Sequence, residues 1–159
     1  RVIAMVHRYF DGAVPEAKNL NDADKKIATV AEAAVQGADR AMDEVAIQDA
    51  VAAIWTLVDE LNAYLTEQEP WILAKDEANR ERLATILATS LEGVRALAVL
   101  LSPFTPKASA KLWAAIGHSL GDLADQSLLE AASWNQLKPG TNIGELESLF
   151  PRIEQDDKN

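Results

Sequence analysis

The segment VAIQDAVAAIWTLVDELNAYLTE, residues 45–67, decides the fold class. Its large apolar side chains recur at steps of three and four residues, which places them on one broad face of an α-helix. These side chains are Ile47, Val51, Ile54, Trp55, Val58, Leu61 and Leu65. Acidic residues fall mostly off that face. We therefore expect a long amphipathic helix that carries Trp55 in its buried stripe.

Four other segments show the same periodicity and lie at residues 1–10, 22–42, 78–101 and 106–116. Turn-forming residues separate them: Asp11, Gly12 and Pro15, then Pro70, then Ser102 and Pro103, with Asp22 and Thr105 as helix caps. No segment alternates apolar and polar residues as a strand would. The sequence predicts an all-α fold, an antiparallel bundle of about five helices.

The chain divides into a helical part and a tail. Its 159 residues suit one domain with a sizeable core. Periodicity fades beyond Gly121, and prolines and glycines interrupt the C-terminal residues. We expect a helical bundle over residues 1–134 and an extended tail over 135–159 that packs back on the bundle or on another domain.

The charge of the chain excludes nucleic-acid binding over the whole surface. Fifteen basic and 25 acidic residues give a net charge of -10, which has the wrong sign for such binding. Residues 22–69 are strongly acidic, whereas residues 1–10 and 93–121 contain basic residues and no acid. Any RNA contact must therefore be local.

Composition also limits the chemistry and the location. The chain has no cysteine, which excludes disulfides and thiolate sites and fits a cytoplasmic protein. Glu92 and Arg95 interrupt the apolar stretch 83–101, so we expect no membrane span. The helical pattern is already under way at Arg1, without an initiator methionine or a signal peptide. We expect the chain to be part of a longer protein.

No catalytic or metal-binding constellation stands out. The two histidines, His7 and His118, have no carboxylates at helical spacing that would complete a metal site. A glycine-rich phosphate loop and a nucleophile elbow are also missing. Adjacent acids point in different directions on a helix and indicate a solvated face. We predict no catalytic residue and no cofactor or metal in this chain.

The tryptophans differ in expected role. Trp113 falls in an apolar stripe and should be core, and Trp134 should fasten the start of the tail. Trp71 follows Pro70 at a corner of the chain. It is either a buried plug at the end of the bundle or an exposed ring on which a nucleobase stacks.

Three separated motifs now identify a family. RVIAMVHRYFDG at 1–12, NAY at 62–64 and EPWILAK at 69–75 strongly resemble the anticodon-binding domain of bacterial methionyl-tRNA synthetases. The tail motifs PGTNIGE at 139–145 and LFPRIE at 149–154 look like the same family's C-terminal segment. The resemblance spans essentially the whole chain.

The resemblance implies a class I synthetase anticodon-binding domain that recognises methionine tRNA. Its catalytic domain would lie upstream in the same chain and attach methionine using ATP with Mg. The family's ATP-binding motifs, which are similar to His-Ile-Gly-His and Lys-Met-Ser-Lys-Ser, do not occur in these residues. This domain alone would be non-catalytic.

The resemblance also assigns RNA-binding roles. The family's aromatic residue after proline stacks on an anticodon base, which corresponds to Trp71. Arg1 occupies a family arginine position beside an anticodon contact, and Arg8 is a further basic residue on the same helix. The family asparagine just upstream of the Arg1 position is absent. Residues seven apart return to nearly the same side of a helix, so Arg1 and Arg8 should form one basic edge.

Two alternatives remain at this point. The chain could be an acidic helical protein-interaction module that docks through its small-residue stripe and the basic segment 93–121. It could also be the anticodon domain of another class I synthetase, although the Pro70-Trp71 pair and the 149–154 motif favour methionine. If the chain is a synthetase anticodon domain of either kind, the apolar residues Leu149, Phe150 and Ile153 should pack on the bundle or on the catalytic body.

Overall fold

The computed structural model describes residues 1–118 and 127–150. These residues form seven α-helices and no β-strand, so the predicted all-α class is confirmed. The helices are α1 (Val2–Phe10), α2 (Asp22–Asp43), α3 (Ile47–Gln68), α4 (Pro70–Leu73), α5 (Arg80–Leu100), α6 (Pro106–Ala115) and α7 (Leu128–Ala132), with a 3-10 turn at Glu77–Asn79. The five predicted helices are α1, α2, α3, α5 and α6. Gly121 and residues 151–154 of the second tail motif, which include Ile153, lie outside the described residues.

Local chemistry sets the helix ends. A capping box begins α2: the Asn21 side chain accepts from the Asp24 amide at 3.1 Å, and the Asp24 carboxylate accepts from the Asn21 amide at 2.8 Å. The cap is therefore Asn21 and not Asp22, because only a residue three positions before Asp24 can exchange these two bonds. Thr105 lies at the N-cap of α6, but its side chain makes no capping hydrogen bond.

Helix α5 is the centre of the bundle and contacts every other α-helix in the described part of the chain. The stretch Glu77–Leu100 is long and apolar enough to cross a membrane by length and composition, yet 83% of its 18-residue apolar section is buried inside the protein. Such burial is typical of a core helix. At Gly93 a Cβ atom would lie 2.7 Å from Leu61 Cδ2, so this glycine allows α3 to approach α5 closely.

A buried ion pair lies in the middle of α5. Arg95 is fully buried and Glu92 is 6% exposed. Arg95 Nε donates to Glu92 Oε1 at 2.9 Å, and the two Nη groups donate to the carbonyl oxygens of Ala131 and Ser133. Every charged atom thereby finds a partner. In the alternative that docks a partner through the basic segment 93–121, Arg95 does not contribute to the surface, because it is buried and paired with Glu92 inside the core.

The same pair fastens the start of the tail. Glu92 Oε1 accepts from the Gln136 amide at 3.0 Å, and Oε2 accepts from the Leu137 amide at 2.8 Å. Together with the Arg95 bonds, these contacts hold residues 131–137 against α5. Trp134 is half-buried and packs against the core, in agreement with its predicted role.

The tryptophan assignments are only partly correct. Trp113 is 2% exposed and belongs to the core as predicted, but Trp55 is 52% exposed. The buried face of α3 consists of Ala50, Ile54, Leu57, Leu61, Tyr64 and Leu65. Trp55 lies one residue, or about 100° of helical rotation, beyond Ile54. The apolar face in the sequence is thus wider than the arc that α2 and α5 cover.

A second polar network ties three helices together around Asp24, which is 2% exposed. Arg82 on α5 binds the Asp24 carboxylate with both Nη atoms, at 2.6 and 2.9 Å, and Tyr64 on α3 donates its hydroxyl to the same carboxylate. Arg82 Nη2 also donates to Gln68 Oε1 at 2.5 Å. The network joins the start of α2, the end of α3 and the first turn of α5.

This environment shifts two pKa values in opposite directions. Burial alone would raise the pKa of Asp24, but hydrogen bonds from Arg82, Tyr64 and the Asn21 amide outweigh burial and hold that pKa below its ordinary value. Burial and the Asp24 carboxylate raise the pKa of the Tyr64 hydroxyl well above its ordinary range. Asp24 is therefore charged and Tyr64 neutral near pH 7.

Replacing Glu92 tests the buried ion pair. In Glu92→Gln the Arg95 guanidinium keeps its burial but loses its counter-charge, so we expect the free energy of unfolding to fall by about 3–5 kcal/mol in urea titrations. The control is Glu77→Gln, which removes an exposed carboxylate paired with Arg80 and should change stability by less than about 1 kcal/mol. Similar small losses in both variants would contradict a structural role for the pair.

The depressed pKa of Asp24 predicts how its contribution depends on pH. A carboxyl whose pKa is lower in the folded state stabilises the fold above its unfolded pKa, about 3.9. That contribution disappears as pH falls through the folded value. The stability gap between the wild type and Asp24→Asn should be constant from pH 7 to about 5 and should narrow at lower pH. Urea titrations at several pH values measure it, and a gap that widens on acidification would refute the assignment.

Candidate nucleic-acid interface

The corner after α3 holds Trp71 in a defined place. Glu69 adopts the left-handed conformation (φ 44°, ψ 54°), which ends α3, and Pro70 begins α4. A proline suits this first helical position, because it needs no amide hydrogen and its φ is already helical. Pro70 is buried and Trp71 is half-buried. The indole is therefore neither a fully buried plug nor a fully exposed ring.

Arg1 lies beside this indole. Its guanidinium carbon is 5.9 Å from the centroid of the Trp71 ring, within the range of a cation–π contact. Arg1 is exposed at the N-terminal end of α1. The fold thus joins two residues that the sequence resemblance selected separately, one on the first helix and one after the third.

Arg1 and Arg8 also line one groove along α1. The groove has a volume of about 800 Å³ and is lined by α1, α3, α5, Leu112 of α6 and the tail. Both arginines are exposed, and Arg8 lies 5.6 Å from the ring centroid of Tyr9. Neither makes an ion pair with any residue among 1–118 and 127–150. Within this part of the chain no carboxylate neutralises either guanidinium, which suits contact with an anion.

The lining of the groove is mostly apolar, with a few polar side chains. Apolar side chains of α1, α3, α5, α6 and the tail form most of the groove lining: Val2, Ile3, Val58, Leu61, Leu65, Val94, Leu97, Leu112 and Leu146. The polar members include Asn62 and Glu145. Sequence periodicity did not reveal this groove. The motif at residues 62–64 begins with Asn62 and could have indicated this residue. Helical periodicity alone gave it no role.

The tail closes one side of the groove through backbone hydrogen bonds. The Ile143 amide donates to the Gly12 carbonyl at 2.8 Å, and the Gly144 amide donates to the Ala115 carbonyl at 2.7 Å. His7 Nε2 lies 3.0 Å from the Gly144 carbonyl oxygen. Ile143 itself is 6% exposed. The histidine on α1 thus helps to hold the tail against the helix that carries both arginines.

A third arginine, Arg80, forms another arginine–aromatic contact at the far end of α1. Its guanidinium carbon lies 4.9 Å from the ring centroid of Phe10, and it pairs with Glu77 at 3.5 Å. Arg80 is thus partly neutralised, in contrast to Arg1 and Arg8. No sequence motif pointed to this residue.

These side chains suit a single-stranded nucleic acid. Guanidinium groups bind phosphates through charge-assisted hydrogen bonds, and an indole face stacks on a base of any sequence. The acidic residues of α2 and α3 would repel a polyanion elsewhere. The geometry therefore favours local contact along the side of α1 that carries Arg1 and Arg8, and at the corner.

Comparisons with known proteins show the family of the chain. Residues 14–159 match a family model described as the anticodon binding domain of methionyl tRNA ligase. The chain is 44% identical to methionine–tRNA ligase of Streptomyces coelicolor over 98% of its own length and 30% of that protein. It is 36% identical to the Caldanaerobacter subterraneus subsp. tengcongensis enzyme over 97% of this chain and 24% of that protein.

Solved structures give the same result. The free-state Mycobacterium tuberculosis methionyl-tRNA synthetase superposes with a TM-score of 0.87 at 30% identity, covering 98% of this chain and 31% of that one. The same enzyme bound by methionyl-adenylate superposes with a TM-score of 0.85, covering 95% of this chain and 29% of that one. The chain spans less than a third of the length of these relatives. With its helical fold and its match from residue 14 to residue 159, the chain belongs to the family of methionyl-tRNA ligase anticodon-binding domains.

Proposed function

We propose that this chain recognises the anticodon of methionine tRNA on behalf of a longer cytoplasmic enzyme that joins methionine to that tRNA. The observation that carries the proposal is the contact between Arg1 and Trp71, which puts the cation of a groove-lining arginine beside a half-buried indole. Family membership supports the reaction class. ATP with Mg and the adenylate chemistry belong to the catalytic domain, which these residues do not include.

Each predicted residue has a distinct part in the proposal. The Trp71 indole stacks on an anticodon base through the part of its ring that the half-buried side chain leaves exposed. Arg1 and Arg8 lie about two helical turns apart, roughly 10 Å along α1, and neutralise phosphates of the loop. Arg1 links the stacking position to the phosphate-binding groove, because it lies beside Trp71 and also lines the groove.

The tail has a separate role in the proposal. Phe150 is 71% exposed and Leu149 is half-buried, so the bundle does not fully cover these two apolar side chains of the tail. We propose that residues 1–134 act as the RNA-reading bundle, and that the tail from residue 135 onward contacts the upstream catalytic domain of the same chain through Leu149 and Phe150.

Replacing Trp71 tests the stacking role. Trp71→Ala should weaken binding of an RNA stem-loop with the methionine anticodon by about 1–3 kcal/mol, the range for one lost stack. Trp71→Phe should retain part of the affinity. Fluorescence anisotropy measures binding, and urea unfolding in the same buffer measures stability. The matched control is Trp55→Ala. Trp55 is an exposed tryptophan on the solvent-facing side of α3, and this variant should bind RNA as the wild type does. Equal effects of the two alanine variants would contradict the role of Trp71.

Salt dependence tests the arginines. If Arg1 and Arg8 meet phosphates, each change to alanine should weaken RNA binding and lower the slope of log Kd against log salt by about 0.7 for a single-stranded loop. Lys107→Ala on α6, an exposed lysine that does not line the groove, serves as the control. An unchanged slope in both arginine variants would remove phosphate neutralisation from the proposal.

A further inference from the structure

The last turn of α3 connects the buried Asp24 network to the RNA-binding corner. Gln68 is the final residue of α3, and Trp71 follows three positions later. Arg82 Nη2 donates to Gln68 Oε1 at 2.5 Å, while both Nη atoms hold the Asp24 carboxylate. The Arg82 guanidinium therefore holds the side chain of Gln68, the last residue of α3 before the corner. Neither the motifs nor the groove had assigned Arg82 any role.

We propose that Arg82 is a positioning residue for Trp71: by holding Gln68 at the end of α3, it sets the orientation of the indole relative to Arg1. This inference rests on the proposed anticodon function. Arg82 itself does not touch RNA in the proposal. Its effect reaches the RNA through the corner.

The geometry of the Arg82 site suits this task. Its side chain is 26% exposed and that of Asp24 is fully buried, so the pair is shielded from competing water. A guanidinium is planar and presents several donors in a fixed fork. It can therefore bind both oxygens of Asp24 and still donate to Gln68. A lysine ammonium could keep the charge but would lose the fork.

The segment between Gln68 and Trp71 has little freedom to absorb a displacement. The Glu69 amide donates to the Leu65 carbonyl, and the Glu69 carbonyl accepts from Ile72 at 2.8 Å. Pro70 is buried and has a fixed φ. A shift at the end of α3 therefore reaches Trp71 without a flexible link.

The decisive variant is Gln68→Met, which removes the amide acceptor and leaves the Asp24–Arg82 pair intact. Gln68 is only half-buried, so the fold should persist. With 5-fluorotryptophan in the chain, the Trp71 resonance can be assigned by its loss in Trp71→Phe. We expect this resonance to shift or broaden in Gln68→Met and in Arg82→Lys, while the Trp113 resonance stays in place.

RNA binding supplies the second readout. Gln68→Met should weaken binding of the methionine anticodon stem-loop about 3- to 10-fold, as expected for neighbours that are energetically coupled. The double variant with Trp71→Ala should bind no more weakly than Trp71→Ala alone. A merely structural role would lower affinity equally in both backgrounds.

A control on the same helix separates positioning from general destabilisation. Thr85 on α5 exchanges hydrogen bonds with the Lys18 backbone, at 2.9 and 2.7 Å, and does not bond to the corner. Thr85→Val should leave the Trp71 resonance and RNA affinity unchanged. An unmoved Trp71 resonance in both Gln68→Met and Arg82→Lys overturns the inference, and so does an additive double variant. If the wild type fails to bind the stem-loop, the proposed function fails, while the fluorine spectra still decide whether Arg82 positions Trp71.

Discussion

The ion pair between Glu92 and Arg95 is the contact on which the rest of the described architecture depends. Two charges are buried in the central helix, and that is tolerable only because each finds protein partners. Those partners are backbone groups of residues 131–137. The pair thus fixes where the tail begins. From there the tail reaches Gly12 and completes the groove along α1. A well-packed apolar core in place of the pair could match its stability but would leave that path undefined.

Helix positions followed from the sequence because they depend on local rules. Apolar spacing marks a helix, and Pro70 must end one, whatever the rest of the chain does. The error at Trp55 shows where such rules stop. Periodicity gives the direction of a side chain around its own helix, but not how much of that circumference the neighbouring helices cover. Likewise, Arg95 could not be recognised as buried, because two of its three partners are carbonyl groups more than thirty residues away.

The candidate site was predictable in part. Spacing alone put Arg1 and Arg8 on one edge of α1, and the groove that both residues line agrees with it. The pairing of Arg1 with Trp71 needed the fold, since no local rule brings residue 71 to the start of the first helix. The family resemblance selected both residues without giving their distance. The places of Asn62 and Glu145 in the groove lining, and the contacts of Arg82, arise only when the helices and the tail come together.

The left-handed backbone conformation of Glu69 costs folding free energy. A residue with a Cβ atom in the left-handed region costs about 1–2 kcal/mol, and glycine would avoid much of that cost. Yet glycine would also widen the range of backbone angles open to the corner in solution. The chain therefore carries strain next to the indole in exchange for a narrower ensemble. In the proposed function, less conformational entropy is then lost when RNA arrives, so part of the cost of ordering the binding surface is met during folding.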